Sequence, residues 1–346
     1  MIQMLPADTG PVPNPLPKLL SGEDLPSEDA QHLFERLVLG RLSEAEIASV
    51  LVALRMKGET VEEMIGAVRA LADAAEEFDA PDGVFADCCG TGGDSSGIIN
   101  VSTAAGFVAA ACGLPIAKHG NRSVSSKCGS ADVLEALGAR IDMSADDARA
   151  VLDATGFTFL FAPAYHPGMR HAGPVRQQLG VRTIMNLLGP CVNPARPPVQ
   201  LLGVADPTLL RRIARTLQAT GVRRALVVHG AGLDELSLHG DSRAIRVIDD
   251  TLEEISIAPE DAGLDPAPLK ALAGGDAVEN ARRLRALFDG DGSRAERDMV
   301  ALNAGALLHL AGNADDLKSA VVKAGAAIDD GLAARTLDAY VEASNG

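Results

Sequence analysis

Short polar segments between residues 90 and 122 carry the side chains best suited to chemistry. The first is the glycine-rich segment Gly90–Asp94, which follows an apolar stretch at 84–88 and precedes small, apolar residues at 104–112. We predict a strand, a turn and a helix, an order in which α/β proteins bind phosphate through backbone N–H groups and the helix N-terminus. A carboxylate at Asp94 would repel phosphate, so we expect it to bind a hydroxyl group or a metal-bound water. A glycine cluster alone is more often a plain turn.

Two further segments supply hydroxyl groups, amides and cations. Asn100, Ser102 and Thr103 stand where the predicted helix begins, so they would either bind a ligand or only cap the helix. Residues 118–130 contain three cations and almost nothing to bury, and they follow a predicted strand at 114–118. We therefore predict a loop at the carboxyl end of that strand, where open α/β sheets bind ligands. A solvated surface loop is the alternative, although such loops usually carry Asp or Glu as well.

A pair of neighbouring carboxylates, Asp234 and Glu235, follows another predicted strand at 224–229. Mg²⁺ prefers one or two carboxylates and completes its coordination shell with water and ligand phosphate oxygens. The pair is therefore a candidate Mg²⁺ site. Ordinary surface acids are the alternative that the pattern leaves open.

Charge is unevenly distributed along this acidic chain, whose formal net charge is −16. Residues 95–131 and 154–205 contain no Asp or Glu, yet they carry seven Lys and Arg residues. This pattern favours a basic patch on an acidic body, which would attract a small polyanion. Nucleic acid is a poor partner, because the molecule as a whole would repel a phosphate polymer. No apolar run is long enough to cross a membrane, so no membrane partner is expected.

The cysteines and the start of the chain bear on its location. Five cysteines without a CxxC pair predict reduced, mostly buried thiols in a cytoplasmic protein. The proline-rich start does not have the pattern of a signal peptide, and we interpret residues 1–15 as a flexible tail.

The first part of the chain predicts helices only. Ser27 precedes one predicted helix. Ser43 and Glu46 have the spacing of a capping box at the start of a second amphipathic helix, and Thr60 and Glu63 repeat it for a third. Three short helices need another surface to cover their apolar faces, so we expect a small helical domain or a dimer contact.

From residue 84 onward, strand and helix patterns alternate. Strands are predicted at 84–88, 114–118, 157–161, 200–204, 224–229 and 243–248, and helices include 104–112, 207–220, 277–288 and 293–311. This alternation predicts an α/β fold: a mostly parallel central sheet flanked by helices, next to a small all-helical domain. Short predicted helices within 165–190 would return the chain to the helical domain. We therefore expect that domain at 16–80 and about 165–195, and a larger α/β domain at 81–164 and 196–346.

The anthranilate phosphoribosyltransferases of tryptophan biosynthesis resemble this chain in five runs, in this order: GTGGD, NVST, KHGNRSVSSKCGSADVLEALG, HPGMRHAGPVRQQLGVRTIMNLLGP and HGAGLDELS. The resemblance covers nearly the whole chain from about residue 15. It implies a small helical domain and a larger α/β domain, with two chains paired through the helical one. It also implies reaction of 5-phosphoribosyl 1-pyrophosphate (PRPP) with anthranilate, giving phosphoribosylanthranilate and pyrophosphate with Mg²⁺.

The resemblance further implies which residues contact each ligand. Contacts to PRPP fall on Gly90, Gly93, Asp94, Ile98, Asn100, Val101, Ser102, Thr103, Lys118, His119, Gly120, Asn121, Arg122, Ser123, Val124, Ser125, Ser126 and Ser130. Contacts to anthranilate fall on Gly90, Asn121 and Arg176. Contacts to Mg²⁺, implied as two ions, fall on Ser102, Asp234 and Glu235.

The sequence departs from the family pattern at three positions. Ile98 stands where similar proteins typically have Thr, which removes one expected hydroxyl contact to the phosphoribosyl group. Tyr165 and Met185 replace residues that are more often His and Phe, and we expect them to reshape the path of the aromatic substrate.

Two other functions stay open on the sequence. A pyrimidine nucleoside phosphorylase would share the architecture and the chemistry at the ribose anomeric carbon. Its phosphate loop continues Lys-His-Ser-Thr-Gly-Gly, a run that is absent here after Lys118 and His119. A non-catalytic nucleic-acid-binding relative would need a net basic surface, and the charge of −16 argues against one.

Overall fold

The computed structural model describes residues 14–94, 96–123 and 127–346. The predictions for residues 1–13 of the tail and for Val124, Ser125 and Ser126 lie outside these residues. Among the helices that the described residues form, none is long and apolar enough to span a membrane.

The elements follow one another along the chain as α-helices, strands and short 3-10 helices. The α-helices are α1 (Leu16–Leu20), α2 (Ser27–Val38), α3 (Glu44–Lys57), α4 (Val61–Asp73), α5 (Val101–Ala111), α6 (Ser130–Ala136), α7 (Ala145–Thr155), α8 (Ala162–Tyr165), α9 (Gly173–Leu179), α10 (Ile184–Leu188), α11 (Leu210–Ala219), α12 (Ala277–Phe288), α13 (Arg294–Ala311), α14 (Leu317–Asp329) and α15 (Leu332–Asn345). The strands are β1 (Ala86–Gly90), β2 (Ile116–Gly120), β3 (Phe157–Phe161), β4 (Val199–Gly203), β5 (Arg224–Gly230), β6 (Ser242–Ile248) and β7 (Thr251–Ile257). The 3-10 helices are Pro167–His171, Gly189–Cys191, Pro207–Leu209, Pro259–Ala262 and Leu269–Leu272.

The chain divides into two compact units. The first comprises the described residues up to Ala74 together with Gly168–Ile184, and the second comprises Ala75–Pro167 and Met185–Gly346. The first unit is all-helical and the second contains the whole sheet.

Local signals in the sequence account for the start of α3 and of α4. The Ser43 hydroxyl accepts a hydrogen bond from the Glu46 amide, and the Thr60 hydroxyl accepts one from the Glu63 amide. Each glutamate carboxylate accepts a bond in return from the backbone N–H of its partner. Both predicted capping boxes are therefore confirmed.

The start of α2 differs slightly from its prediction. The helix begins at Ser27 itself, because Pro26 occupies the N-cap position. Gly66 on α4 lies against the Ser27 carbonyl, and a Cβ at Gly66 would collide with it. This glycine therefore allows α2 and α4 to pack at short range.

The second unit is built on a seven-stranded sheet in the order β3-β2-β1-β4-β5-β6-β7. Neighbours from β3 to β5 are parallel, whereas β5, β6 and β7 pair antiparallel. The predicted α/β class with a mostly parallel sheet is confirmed. The prediction missed β7, whose side chains are mostly exposed at the sheet edge and lack the pattern of a buried strand.

Strands β1 and β2 lie two residues later in the chain than predicted. The ladder pairs Ala86 with Ile116 and with Val199, and it pairs Ile116 with Phe157. Pairing with neighbouring strands, and not the apolar pattern of either segment alone, sets these bounds. The correction extends β1 to Gly90 and β2 to Gly120.

The main core of this unit fixes α5 against the sheet. Phe107 on α5 stacks on Phe157 of β3, with ring centroids 4.0 Å apart, and Tyr340 packs against both. Helix α5 begins at Val101, three residues earlier than predicted, whereas α12 has its predicted bounds. The start of α5 is thereby held close to the end of β1.

Candidate active site

Three neighbouring parallel strands, β1, β4 and β5, end in glycine at one edge of the sheet: Gly90, Gly203 and Gly230. Each glycine faces the segment that contains Asp234 and Glu235. A Cβ at Gly203 would collide with the backbone of Asp234, and one at Gly230 would collide with the Glu235 carbonyl. A Cβ at Gly90 would meet the Asp234 carboxylate. The acid pair therefore lies directly on the carboxyl ends of three strands, the edge where open α/β sheets bind ligands.

Hydrogen bonds connect both carboxylates to the segments predicted to bind phosphate. The Gly92 N–H donates to Asp234 Oδ2 at 2.7 Å, and the Ser102 N–H donates to Glu235 Oε1 at 3.1 Å. Gly92 has φ +64°, a conformation that favours glycine. Ser102 lies in the first turn of α5, where backbone N–H groups lack partners within the helix. The structure thus brings together the acid pair, the glycine turn and the start of α5.

The positive charge near the acid pair does not offset the effects of burial and of neighbouring negative charge. Burial, and then the negative charge of Asp94, raise the pKa of Asp234 to about 7. Burial and the charge of Asp234 raise the pKa of Glu235 well above its usual range, against the opposing effect of the Lys118 ammonium group. A cation bound between these oxygens would stabilise the ionised carboxylates.

The oxygen atoms of this cluster fit a hard divalent cation such as Mg²⁺. Within the described residues, no group of three or more His, Cys, Asp or Glu side chains is arranged to hold a metal by itself. A Mg²⁺ ion here would therefore need further oxygen atoms from water or from a ligand, which is the usual arrangement for Mg²⁺ beside phosphate.

Gly93 and Asp94 complete the glycine turn. Gly93 has φ +79°, so it also occupies the left-handed region. The Asp94 carboxylate accepts a hydrogen bond from the Ser96 N–H at 3.1 Å. This bond fixes Asp94 close enough to Asp234 for the two charges to interact.

Lys118 lies inside β2, which corrects the prediction that residues 118–130 form one loop. Only 2% of Lys118 is exposed. Its ammonium group donates to the Cys88 carbonyl and, at 3.3 Å, to the Ser102 hydroxyl. The positive charge is therefore buried, and it acts on Glu235 from within the protein.

His119, the next residue of β2, is buried against His166, with the two ring centroids 5.2 Å apart. Among the described residues, nothing bonds to Nε2 of His119. Burial, and then the proximity of His166, lower the pKa of His119 to about 3. The ring is consequently neutral at neutral pH and supplies no positive charge to a phosphate.

We expect His119 to make the protein less stable as the pH falls from about 6.5, the ordinary histidine pKa, toward 3. The unfolded chain takes up the proton first, so one histidine lowers the free energy of unfolding by about 1.4 kcal/mol per pH unit in this window. In urea unfolding experiments, His119→Gln should remove this dependence of the free energy of unfolding on pH between about pH 6 and pH 5. This window lies just below the ordinary histidine pKa. His32→Gln, at an exposed position, is the control. Equal slopes for His119→Gln and the wild type would contradict the expectation.

The segment 98–103 places its side chains in different surroundings. Ile98 forms an isolated bridge with Ala273, and Asn100 stands at the N-cap of α5 without a capping bond from its side chain. The Val101 side chain is buried in the core, so only its backbone is available to a ligand. Thr103 is 1% exposed, and its hydroxyl finds no partner in the described part of the chain.

The loop after β2 begins beyond Gly120. A Cβ at Gly120 would collide with the Ser130 hydroxyl, which itself donates to the Asn121 carbonyl at 3.4 Å. The Ser123 N–H donates to the Asp132 carboxylate at 2.9 Å. The start of α6 therefore closes back onto this loop.

Arg122 is paired with acids, although it lies in one of the acid-free windows from which we predicted a basic patch. Its guanidinium group binds Glu135, with one N–O distance of 2.7 Å, and lies 3.6 Å from Asp132. Both acids belong to α6, just beyond the acid-free window. The side chain of Arg122 is half exposed, so a phosphate would have to compete with these carboxylates for it.

Arg176 belongs to the helical unit, on α9. The side chain is partly buried, and burial lowers the pKa of its guanidinium group. No carboxylate among the described residues forms an ion pair with it. Of the residues at unusual positions, Tyr165 and Met185 are both buried, and burial raises the pKa of Tyr165 to about 12.

Sequence reasoning missed three residues that hold the acid pair. Gly203 and Gly230 are two of them, and the signal was a glycine next to the last residue of the predicted strands 200–204 and 224–229. Asn303, fully buried on α13, accepts a bond from the Leu236 N–H at 3.0 Å and donates to the Leu236 carbonyl at 3.1 Å. It therefore fixes the residue that follows the pair, and no local sequence signal connects these two positions.

Gly203→Ala is expected to destabilise the protein by about 1–3 kcal/mol, the usual cost of overpacking. The new Cβ would meet the backbone of Asp234, which cannot yield without displacing the acid pair. Hydrogen exchange over 231–236 should accelerate as well. Gly189→Ala is the matched control, since nothing lies within 4 Å of a Cβ there. A wild-type melting temperature in Gly203→Ala would contradict the placement of the pair.

Known proteins and protein families are similar to this chain in both of its units. The glycosyl transferase family α/β domain matches residues 82–334, and the helical bundle domain of that family matches residues 16–75. Anthranilate phosphoribosyltransferase of Sorangium cellulosum is 54% identical over 94% of this chain and 94% of its own length.

Two solved structures of anthranilate phosphoribosyltransferase are also similar. The enzyme from Thermus thermophilus has a TM-score of 0.92 at 41% identity, covering 96% of this chain and 100% of its own. The enzyme from Saccharomyces cerevisiae in complex with PRPP and Mg has a TM-score of 0.89 at 27% identity, covering 98% and 99%. With family domains matched along most of its length and a relative 54% identical, the chain belongs to the anthranilate phosphoribosyltransferase family.

Proposed function

We propose that this chain transfers the 5-phosphoribosyl group of PRPP to the amine of anthranilate, giving N-(5-phosphoribosyl)anthranilate and pyrophosphate in tryptophan biosynthesis. The observation that carries the proposal is the acid pair on three strand ends, hydrogen bonded to the glycine turn and to the start of α5. The similar yeast enzyme was solved with PRPP and Mg, the two ligands that such an edge suits.

Asp234, Glu235 and Ser102 are the proposed metal ligands, for two Mg²⁺ ions. The raised pKa values of both carboxylates and the hydrogen bond between Ser102 and Glu235 support this set. When bound, Mg²⁺ neutralises the charge of the pyrophosphate group as it leaves.

The proposed PRPP contacts divide by the chemistry that each can supply. The glycine turn and the start of α5 would lie against the phosphate oxygens, through Gly90, Gly93, Val101, Ser102 and Thr103. Asp94 would accept a hydrogen bond from a ribose hydroxyl, because its carboxylate would repel phosphate. The remaining proposed contacts are Ile98, Asn100, Lys118, His119, Gly120, Asn121, Arg122, Ser123, Val124, Ser125, Ser126 and Ser130.

The reaction needs positioning and charge, and no nucleophilic side chain. As pyrophosphate leaves, positive charge develops on the ribose ring, and the protein lowers the barrier by holding the leaving group and aligning the amine. The amine of anthranilate is weakly basic and largely unprotonated at neutral pH, so a strong general base is not required. Arg176, Asn121 and Gly90 are the proposed anthranilate contacts, with Arg176 binding the carboxylate.

We further propose that two chains pair through the helical unit and that the protein works in the cytoplasm. Leu20, Leu39 and Met56 of the helical unit are large apolar side chains that are exposed in the single chain, which supports a covered surface there. All five cysteines are free thiols, which supports a reducing compartment. The proposed domains are the two units at their observed bounds, narrower in the helical part than 16–80 and 165–195.

Loss of anthranilate fluorescence on mixing the purified protein with PRPP, Mg²⁺ and anthranilate tests the proposal. The chain contains no Trp, so protein emission interferes little with this signal. We expect turnover that stops when Mg²⁺ is chelated and resumes when it is restored. Absence of turnover by folded protein under these conditions would refute the proposal.

A further inference from the structure

A buried asparagine outside the predicted site contacts a residue inside it. Asn280, on α12, is 2% exposed and lies 180 positions beyond Asn100 in the sequence. Its Nδ2 donates to Asn100 Oδ1 at 2.9 Å. An amide group has a donor end and an acceptor end, so this bond couples the orientation of the Asn280 amide to that of the Asn100 amide.

The orientation of Asn280 is fixed by the backbone. The Gly275 N–H donates to Asn280 Oδ1 at 2.8 Å, and a backbone N–H can only donate. The carbonyl end of Asn280 must therefore face Gly275, which leaves its NH₂ group facing Asn100. Asn100 is thus required to present its carbonyl oxygen on this side.

A second backbone group fixes the other end of Asn100. Asn100 Nδ2 donates to the Cys128 carbonyl at 3.2 Å, and a carbonyl can only accept. The Cys128 thiol also donates to Asn100 Oδ1, at 3.3 Å. Within the described residues, the oxygen of Asn100 is therefore occupied by the Asn280 NH₂ group, and the NH₂ group of Asn100 bonds through only one of its two hydrogens.

The backbone segments around Asn100 and Asn280 are closely packed. The Gly274 N–H donates to the Gly97 carbonyl at 2.7 Å, and a Cβ at Gly274 would collide with Asn280 Oδ1 and with the Ile98 carbonyl. The backbone of Gly274 and Gly275 therefore lies against the Asn280 amide, whose carbonyl end is held by the Gly275 N–H.

We propose that Asn280 is a positioning residue, which turns the Asn100 amide so that its second N–H, and not its oxygen, faces the polyanion. This inference rests on the proposed function, which places Asn100 among the PRPP contacts. An amide turned the other way would present a carbonyl oxygen to phosphate, and the two would repel.

A double-mutant cycle separates this role from simple packing, because a residue that acts only through Asn100 has no effect once Asn100 is gone. The variants are Asn100→Ala, Asn280→Ala and the two combined, and binding of PRPP with Mg²⁺ is measured by titration calorimetry. We expect Asn280→Ala to weaken PRPP binding by about fivefold, the size of one hydrogen bond. The double variant should bind no more weakly than Asn100→Ala, and the KM for anthranilate should stay unchanged.

The controls keep the inference falsifiable. Leu284→Ala, on the same helix and buried, should lower the melting temperature without weakening PRPP binding. Asn280→Ser replaces Asn280→Ala if the latter does not fold. Additive losses in the double variant, or full PRPP affinity in Asn280→Ala or Asn100→Ala, would overturn the inference while leaving the proposed function intact. Failure of the wild type to bind PRPP would instead refute the proposed function.

Discussion

Replacing Glu235 with Gln is expected to raise the Mg²⁺ concentration needed for half-maximal activity by at least about tenfold, the loss usual even for weaker contributors to a metal site. Glutamine keeps the shape of the side chain, and its amide oxygen can still accept the Ser102 N–H. What is lost is one negative charge at the metal. The fold should survive, since removing a buried carboxylate with a raised pKa relieves a desolvation cost.

Activity measured across a range of Mg²⁺ concentrations, at saturating PRPP, provides the readout. Glu260→Gln changes the net charge equally at an exposed position in the same unit and should leave the Mg²⁺ dependence unchanged. An unchanged Mg²⁺ dependence in Glu235→Gln as well would remove this carboxylate from the metal site.

For Arg176→Ala, the expected result is a 10- to 100-fold rise in the KM for anthranilate, about the value of a charged hydrogen-bonded pair. The guanidinium group is partly buried, burial lowers its pKa, and none of the described carboxylates pairs with it. A planar fork of donors in such surroundings matches a ligand carboxylate such as that of anthranilate. PRPP binding should stay nearly normal, because its proposed contacts all belong to the α/β unit.

Arg170→Ala offers a matched control, as another arginine of the same unit whose side chain is exposed. It should leave both substrates unaffected. If Arg176→Ala loses both substrates equally, the cause is a folding defect. If it loses neither, the anthranilate carboxylate is bound elsewhere.

Features of the fold that depend on nearby residues could be predicted from the sequence. The capping boxes at Ser43 and Thr60 act within one helical turn, and they lie where the spacing predicts. The bounds of α12 follow from its own apolar pattern and from Asp276 as its N-cap. The position of Asp234 and Glu235 beyond a strand likewise needed only the order of residues.

Features that depend on partners far along the chain could not be predicted. Lys118 has the sequence context of a polar loop, but the register of β2 with its neighbours draws it into the sheet and buries its charge. Arg122 lies in an acid-free window, yet α6 returns Glu135 to it. The link between Asn303 and Leu236 has no local pattern at all, because side chain and backbone meet only after the sheet and α13 have packed.

The hydrogen bond between Asn100 and Asn280 also has a consequence for how the chain folds during its synthesis. At a synthesis rate of 5–20 residues per second, the 180 positions that separate the two residues correspond to roughly 10–40 seconds on the ribosome. Throughout that interval Asn100 has been synthesised but its partner has not. Leu236, which follows the acid pair, similarly lacks Asn303 until 67 more residues have been added. A nascent chain therefore emerges with β1 to β5 complete while Asn100 and the residue after the acid pair still lack these partners. Premature termination before α12 would yield a sheet in which Asn100 lacks Asn280 and the segment after the acid pair lacks Asn303.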